Sequence, residues 1–203
     1  MTRYPVPARR HTVEETIRRS RFITTLARAP EPAAAHAFVA SVRDESPDAT
    51  HHCWAFVAGP PGSTARIGMS DDGEPQGTAG RPMLTALLHG GVGEVVAVCT
   101  RYYGGVKLGT GGLGRAYSGG VVRALDSLTT EERVERVPYV VTVGYPDIDA
   151  LQRLIAEMEL PVLDEAFGAE VRYRLDVPVD EAAALVRRVT DLSRGAGVVE
   201  KGE

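Results

Sequence analysis

Cysteine is scarce: Cys53 and Cys99 are the two in 203 residues. Both lie in strand-like apolar surroundings, which points to reduced, buried thiols and excludes a disulfide framework. No apolar run is long enough to span a bilayer, so a membrane-spanning helix is excluded too. The arginines of MTRYPVPARRHTVEET are followed by no apolar h-region, so no secretory signal is expected and a cytoplasmic location is. There is neither an internal repeat nor a low-complexity tract. With 43% hydrophobic and 25% charged residues the composition is that of a globular chain, and the length suits two small domains.

Charge is unevenly spread. Residues 1–128 hold 14 Lys+Arg against 11 Asp+Glu, an excess of +3, whereas residues 129–203 hold 9 against 16, or −7. A basic half joined to an acidic half hints at nucleic-acid contact on one side.

The element pattern divides the chain further. Residues 1–16, with Pro5 and Pro7 and no clear period, are expected to be a flexible arm. A first domain over 17–130 reads as strand 17–29, helix 32–44, strand 49–59, a Gly-Pro-Pro-Gly turn and a returning strand 65–69. A helix from Pro82, a strand 94–102 apolar enough to be covered on both faces, and a helix from Leu113 complete it. Gly119 and Gly120 inside that last helix suggest close approach to a neighbouring strand. Residues 131–203 read as βαββαβ, the order of a ferredoxin-like sandwich, with Asp147 and Asp180 as plausible N-caps and Gly195 as a C-cap. Nothing in that half gathers catalytic residue types, so it reads as a binding or packing module.

Chemistry-bearing residues concentrate in three places. His51-His52-Cys53 invites a metal, but adjacent strand residues face opposite ways and no CxxC or HxxxH completes a ligand set, so no metal is expected. His51 or His52 is expected at a site rim. Asp71, Asp72 and Glu74 suit Mg²⁺ or acid/base work, or equally turn formation, helix capping and charge-assisted ties to a basic loop. The third place is residues 99–128, CTRYYGGVKLGTGGLGRAYSGGVVRALDSL, running from strand through glycines into helix. Bare amides at a helix start, with Arg101, Lys107 and Arg115 nearby, suit a phosphate-bearing partner. The glycines match neither a Walker A loop nor a Rossmann turn. They are similar to the helix-start loop of the small-metabolite kinases, where amides cradle ATP phosphates.

SRFI at 20–23, THHCWAF at 50–56, SDDGEPQGTAGRPML at 70–84 and TRYYGGVKLGTGGLGRAY at 100–117 together resemble the signature of the IMPACT/YigZ family. His52 stands where the family usually has Asn, Tyr103 where it often has Phe, and Gly114 where Val is common. The resemblance implies an α+β protein. Its first domain would be a βαβ-rich two-layer sandwich of the ribosomal-protein and elongation factor G domain IV type, and its second a ferredoxin-like domain similar to elongation factor G domain V. It also implies a role in translation: eukaryotic relatives regulate initiation through protein contacts, bacterial ones are thought to bind RNA or the ribosome, and no established reaction or cofactor accompanies them.

The expectation is therefore a non-enzymatic protein binding RNA or the ribosome through Arg101, Tyr102, Tyr103, Lys107, Gly109, Gly111, Gly112 and Arg115. His51, His52, Asp71, Asp72, Glu74 and Arg81 would order the loop or form the rim. The rival is a kinase-like or hydrolytic enzyme holding a nucleotide on residues 109–114 with Asp72 or Glu74. A protein–protein adaptor is a third class.

Overall fold

The computed structural model describes residues 2–202, and contacts divide it between Arg133 and Val134 into two units. Residues 1 and 203, the outer ends of the expected arm and second domain, lie outside the described residues. The rest of the arm is not loose. Strand β1 (Arg3–Pro7) pairs with β7 (Thr130–Val134), and β2 (His11–Ile17) pairs antiparallel with β3 (Ser20–Arg28). Val6 and Tyr4 are buried, and the Tyr4 hydroxyl donates to Glu94, which also takes Arg28 and Arg133. The prolines are tolerated because β1 belongs to a two-stranded ribbon, in which each strand is an edge strand. Pairing with β7 also carries the first unit three residues beyond the expected boundary at 130.

The single strand expected over 17–29 is broken at Arg18 and Arg19, whose positive φ angles of 45° and 70° form the β2–β3 hairpin turn. Helix α1 (Pro32–Glu45) leads to β4 (His51–Val57) and β5 (Ile67–Ser70), an antiparallel hairpin. Helix α2 (Gly80–His89), strand β6 (Val95–Tyr102) and helix α3 (Thr110–Asp126) follow. The five-stranded sheet has the order β2-β3-β6-β4-β5 with every pairing antiparallel.

Strand β6 runs through the middle and is buried on both faces. Val95, Ala97 and Cys99 join the core under α2 and α3, while Val96 and Val98 join a second core under α1. Helices therefore cover both faces, giving three layers instead of the expected two. The second core is what the two-layer expectation omitted: Ala35, Val39 and Val42 of α1 bury against Phe56, Val96 and Val98. Helix α3 lies close to the sheet because Gly120 meets β3, where an added Cβ would sit 2.4 Å from Thr24 Oγ1.

The second unit holds β8 (Arg136–Val143), α4 (Ile148–Glu157), β9 (Val162–Phe167), β10 (Val171–Pro178), α5 (Ala182–Leu192) and β11 (Val198–Lys201). Its sheet order, β11-β8-β10-β9, is that of a ferredoxin-like βαββαβ unit. Leu151, Leu154, Leu185 and Val189 of the helices bury against Val141, Tyr173 and Leu175 of the strands. Asp147 makes no capping bond, and α5 begins after Glu181 instead of Asp180. Gly195, at φ 86°, closes α5 by donating to Thr190.

Candidate functional site

Several chemistry-bearing residues of the first unit, His51, Glu74, Arg101, Tyr103 and Lys107 among them, meet near the start of α3. Gly109, at φ 75°, turns the chain so that Thr110, Gly111 and Gly112 begin the helix, and no side chain caps them. These first-turn N–H groups have no intrahelical acceptor, and with the helix dipole they carry partial positive charge.

The turn opens on a cavity of about 430 Å³ lined by Thr50, His51, Glu74, Pro75, Arg101, Tyr103, Lys107, Leu108, Gly109, Thr110 and Leu113. A second hollow of about 600 Å³ lies between α2 and α3, with Arg81, His89, Gly111, Gly114 and Arg115 in its walls. A third holds Arg18, Leu108, Gly112 and Arg115. Arg115 folds back over the helix start, its Nη1 3.6 Å from where Gly111 would carry a Cβ.

Arg10, Arg21, Arg28, Arg43 and Arg123 each pair with a carboxylate elsewhere on the unit. Arg18, Arg81, Lys107 and Arg115, gathered around one helix turn, form no ion pair among the described residues, and neither do Arg9, Arg19 and Arg66, which line none of the three hollows. Three of the four around the helix turn were legible in the sequence. Arg18 was missed because its place depends on the hairpin turn; the adjacent Arg18-Arg19 pair before SRFI was the available signal.

Arg101 needs correcting. It is 4% exposed, pairs with Glu74, donates to Ser20 Oγ at 3.2 Å, and lies between the rings of Phe22 and Tyr103 at 5.2 and 5.3 Å. Its guanidinium organises the cavity floor and is not offered to a surface phosphate. Its Nε is the one buried side-chain polar atom without a partner among the described residues. Glu74, 9% exposed, accepts from Arg101 and from the Tyr117 hydroxyl at 2.7 Å through Oε1, and among the described residues no hydrogen bond engages its Oε2.

The two tyrosines part company. Tyr103 lines the cavity at 45% exposure, whereas Tyr102 lies under Arg21 and donates to Asp48. The two histidines part likewise, as the strand period requires. His51 lines the cavity. Its Nδ1 is 2.8 Å from the Asp72 carbonyl, which can only accept, so Nδ1 carries the proton and Nε2, 4.0 Å from Glu74, is an acceptor in the neutral ring. His52 is buried away from the cavity, between Thr100 Oγ1 and the Ser46 carbonyl, and burial lowers its pKa. It is therefore no rim residue.

The acidic loop is structural at two of its three positions. Asp71 accepts from the backbone N–H groups of Gly77, Ala79 and Gly80 at 2.7–2.9 Å, capping α2. Burial opposes its ionisation, but the three donors prevail and hold its carboxyl below the ordinary range. Asp72 accepts from the His52 N–H and from Arg43. Below them, Cys53 and Cys99 are buried opposite each other on β4 and β6; burial raises both thiols, Cys99 to about 12. Among the described residues no cluster of three His, Cys, Asp or Glu could hold a metal, and no helix is long and apolar enough to cross a membrane.

Fold and site thus define a two-unit α+β protein whose first unit presents an uncapped, cation-ringed helix start beside a cavity. Comparison with known proteins makes this specific. Residues 18–125 match the Impact N-terminal domain, and residues 141–196 match the Domain of unknown function (DUF1949). The chain is 45% identical to the IMPACT family member YigZ of Escherichia coli (strain K12), over 97% of this chain and 96% of that one. It is 32% identical to the IMPACT family member YvyE of Bacillus subtilis (strain 168), over 94% and 87%. A crystal structure described as that of a hypothetical protein superposes over 100% of this chain and 98% of its own, with TM-score 0.72 and 44% identity. The chain belongs to the IMPACT family.

Proposed function

We propose that this protein is a translation-associated RNA-binding factor that grips RNA phosphates at the start of α3. The observation that carries the proposal is a gathering of cations: Arg18, Arg81, Lys107 and Arg115 line the hollows around one uncapped helix turn and form no ion pair among the described residues, whereas Arg10, Arg21, Arg43 and Arg123 are each neutralised by a carboxylate. Oriented amides and unpaired cations around one point suit phosphate oxygen. Membership of the IMPACT family supports the placement in translation, and the likeness of the two units to elongation factor G domains IV and V belongs to the same proposal.

The test is RNA affinity against salt. For a single strand, log K falls with log salt by about 0.7 per phosphate neutralised, so Lys107→Ala/Arg115→Ala should weaken binding across sequences and flatten the slope by about 1.4. Arg66→Ala, an exposed arginine outside the three hollows, serves as the control and should leave the slope alone. An unchanged slope in the double variant refutes the assignment.

A further inference from the structure

Four features of the cavity are not needed for phosphate contact: an exposed aromatic ring, an apolar wall, and two acceptors facing inward from a buried floor. Resting on the RNA reading above, we infer that the cavity receives one unstacked nucleotide and reads the Watson–Crick edge of its base, preferring guanine. Its volume of about 430 Å³ falls within the range of about 300–1,000 Å³ typical of small-ligand sites.

The assignment follows from the walls. Tyr103 lines the cavity half-exposed, one face held against the Arg101 guanidinium at 5.3 Å, so a base can stack without ordering a loose side chain. Pro75, Leu108 and Leu113 supply apolar contact. The floor presents Glu74 Oε2, free of hydrogen bonds, and His51 Nε2, left as an acceptor because Nδ1 is tied to the Asp72 carbonyl. Two neighbouring acceptors require two neighbouring donors. Guanine offers them as N1–H and its exocyclic amine, adenine and cytosine offer an amine alone, and uracil offers one N–H flanked by carbonyls that a carboxylate repels. The phosphate of the same nucleotide meets the helix start where Gly109 and Thr110 line the cavity, with Lys107 beside it. Glu74, whose side chain is 4% exposed yet lines the cavity with Oε2 unengaged among the described residues, is the buried polar group there that lacks its full set of partners.

Calorimetry on the full chain with GMP, UMP and ribose 5-phosphate tests this. GMP should bind about tenfold tighter than UMP, the discrimination a good pair of edge contacts supplies, and ribose 5-phosphate should bind more weakly than either. Tyr103→Ala, which removes the stacking ring but no hydrogen-bonding group of the Glu74–Arg101–Tyr117 network, should weaken GMP toward ribose 5-phosphate. Glu74→Gln should abolish the GMP over UMP ratio, and Arg81→Ala should leave that ratio intact. Equal affinity for all three probes, or none for any, overturns the inference. If RNA binding keeps its salt slope while GMP shows no preference, only this inference falls; if GMP is preferred but RNA does not bind, the cavity takes a free nucleotide and the RNA reading falls.

Discussion

Replacing Glu74 by leucine removes one carboxylate and strands two buried groups. Arg101, nine-tenths buried, loses its counter-charge, and the hydroxyl of fully buried Tyr117 loses its acceptor. Breaking one side of a buried pair typically costs about 3–5 kcal/mol, most of it the penalty of leaving the other charge alone in a poorly solvated place. For a unit of this size that is roughly 10–20 °C in Tm. Trp54, the one tryptophan, packs against His36 and Phe56 in β4, so its fluorescence in a urea titration reports on the first unit alone. The triple change Glu74→Leu/Arg101→Met/Tyr117→Phe removes every stranded group at once and should recover most of the loss. A single variant weakened by less than about 1 kcal/mol, or a triple no better than the single, refutes this account of the cavity floor.

Three further outcomes follow from the same geometry. Asp71→Asn should lose about 1–2 kcal/mol at neutral pH through the α2 cap. Because the folded carboxyl titrates below its unfolded value of about 3.9, the deficit is full above that pH and closes as pH falls through the lower folded pKa; a deficit constant down to pH 2 in urea titrations contradicts it. Gly120→Ala should destabilise by about 1–3 kcal/mol through collision with Thr24. Gly119→Ala, where a Cβ meets only the end of Arg123 at 3.3 Å, should instead gain up to about 1 kcal/mol, and thermal melts of the pair decide between them. Cys53 and Cys99 should resist a thiol reagent at pH 8 in the native chain and react together on unfolding; rapid native labelling of either contradicts their burial.

What the sequence disclosed and what it hid have physical reasons. Strand β6 was legible because both its faces are buried, so its first five residues, Val95 to Cys99, are all apolar, and the start of α3 was legible because glycines and cations adjoin it in the chain. The alternation of a strand told that His51 and His52 face opposite ways, but which one meets the cavity depends on the register of β4 against β6. Strands β1 and β2 were hidden because edge strands tolerate prolines and polar residues that a central strand rejects. Arg101 looked like a surface cation because its partners Ser20 and Glu74 are 81 and 27 residues before it, brought together only by packing. The hairpin at Arg18 and Arg19 was unreadable for a related reason: neither residue favours positive φ.

The central claim is that the α3 amides meet the ligand. Amide NMR spectra of the ¹⁵N-labelled chain, titrated with a short single-stranded RNA at low salt, test it most directly. The account predicts that the signals of Gly109, Thr110, Gly111 and Gly112 move most and saturate together with those of Lys107 and Tyr103. Saturable binding that leaves these signals in place, with shifts centred elsewhere on the chain, would contradict it.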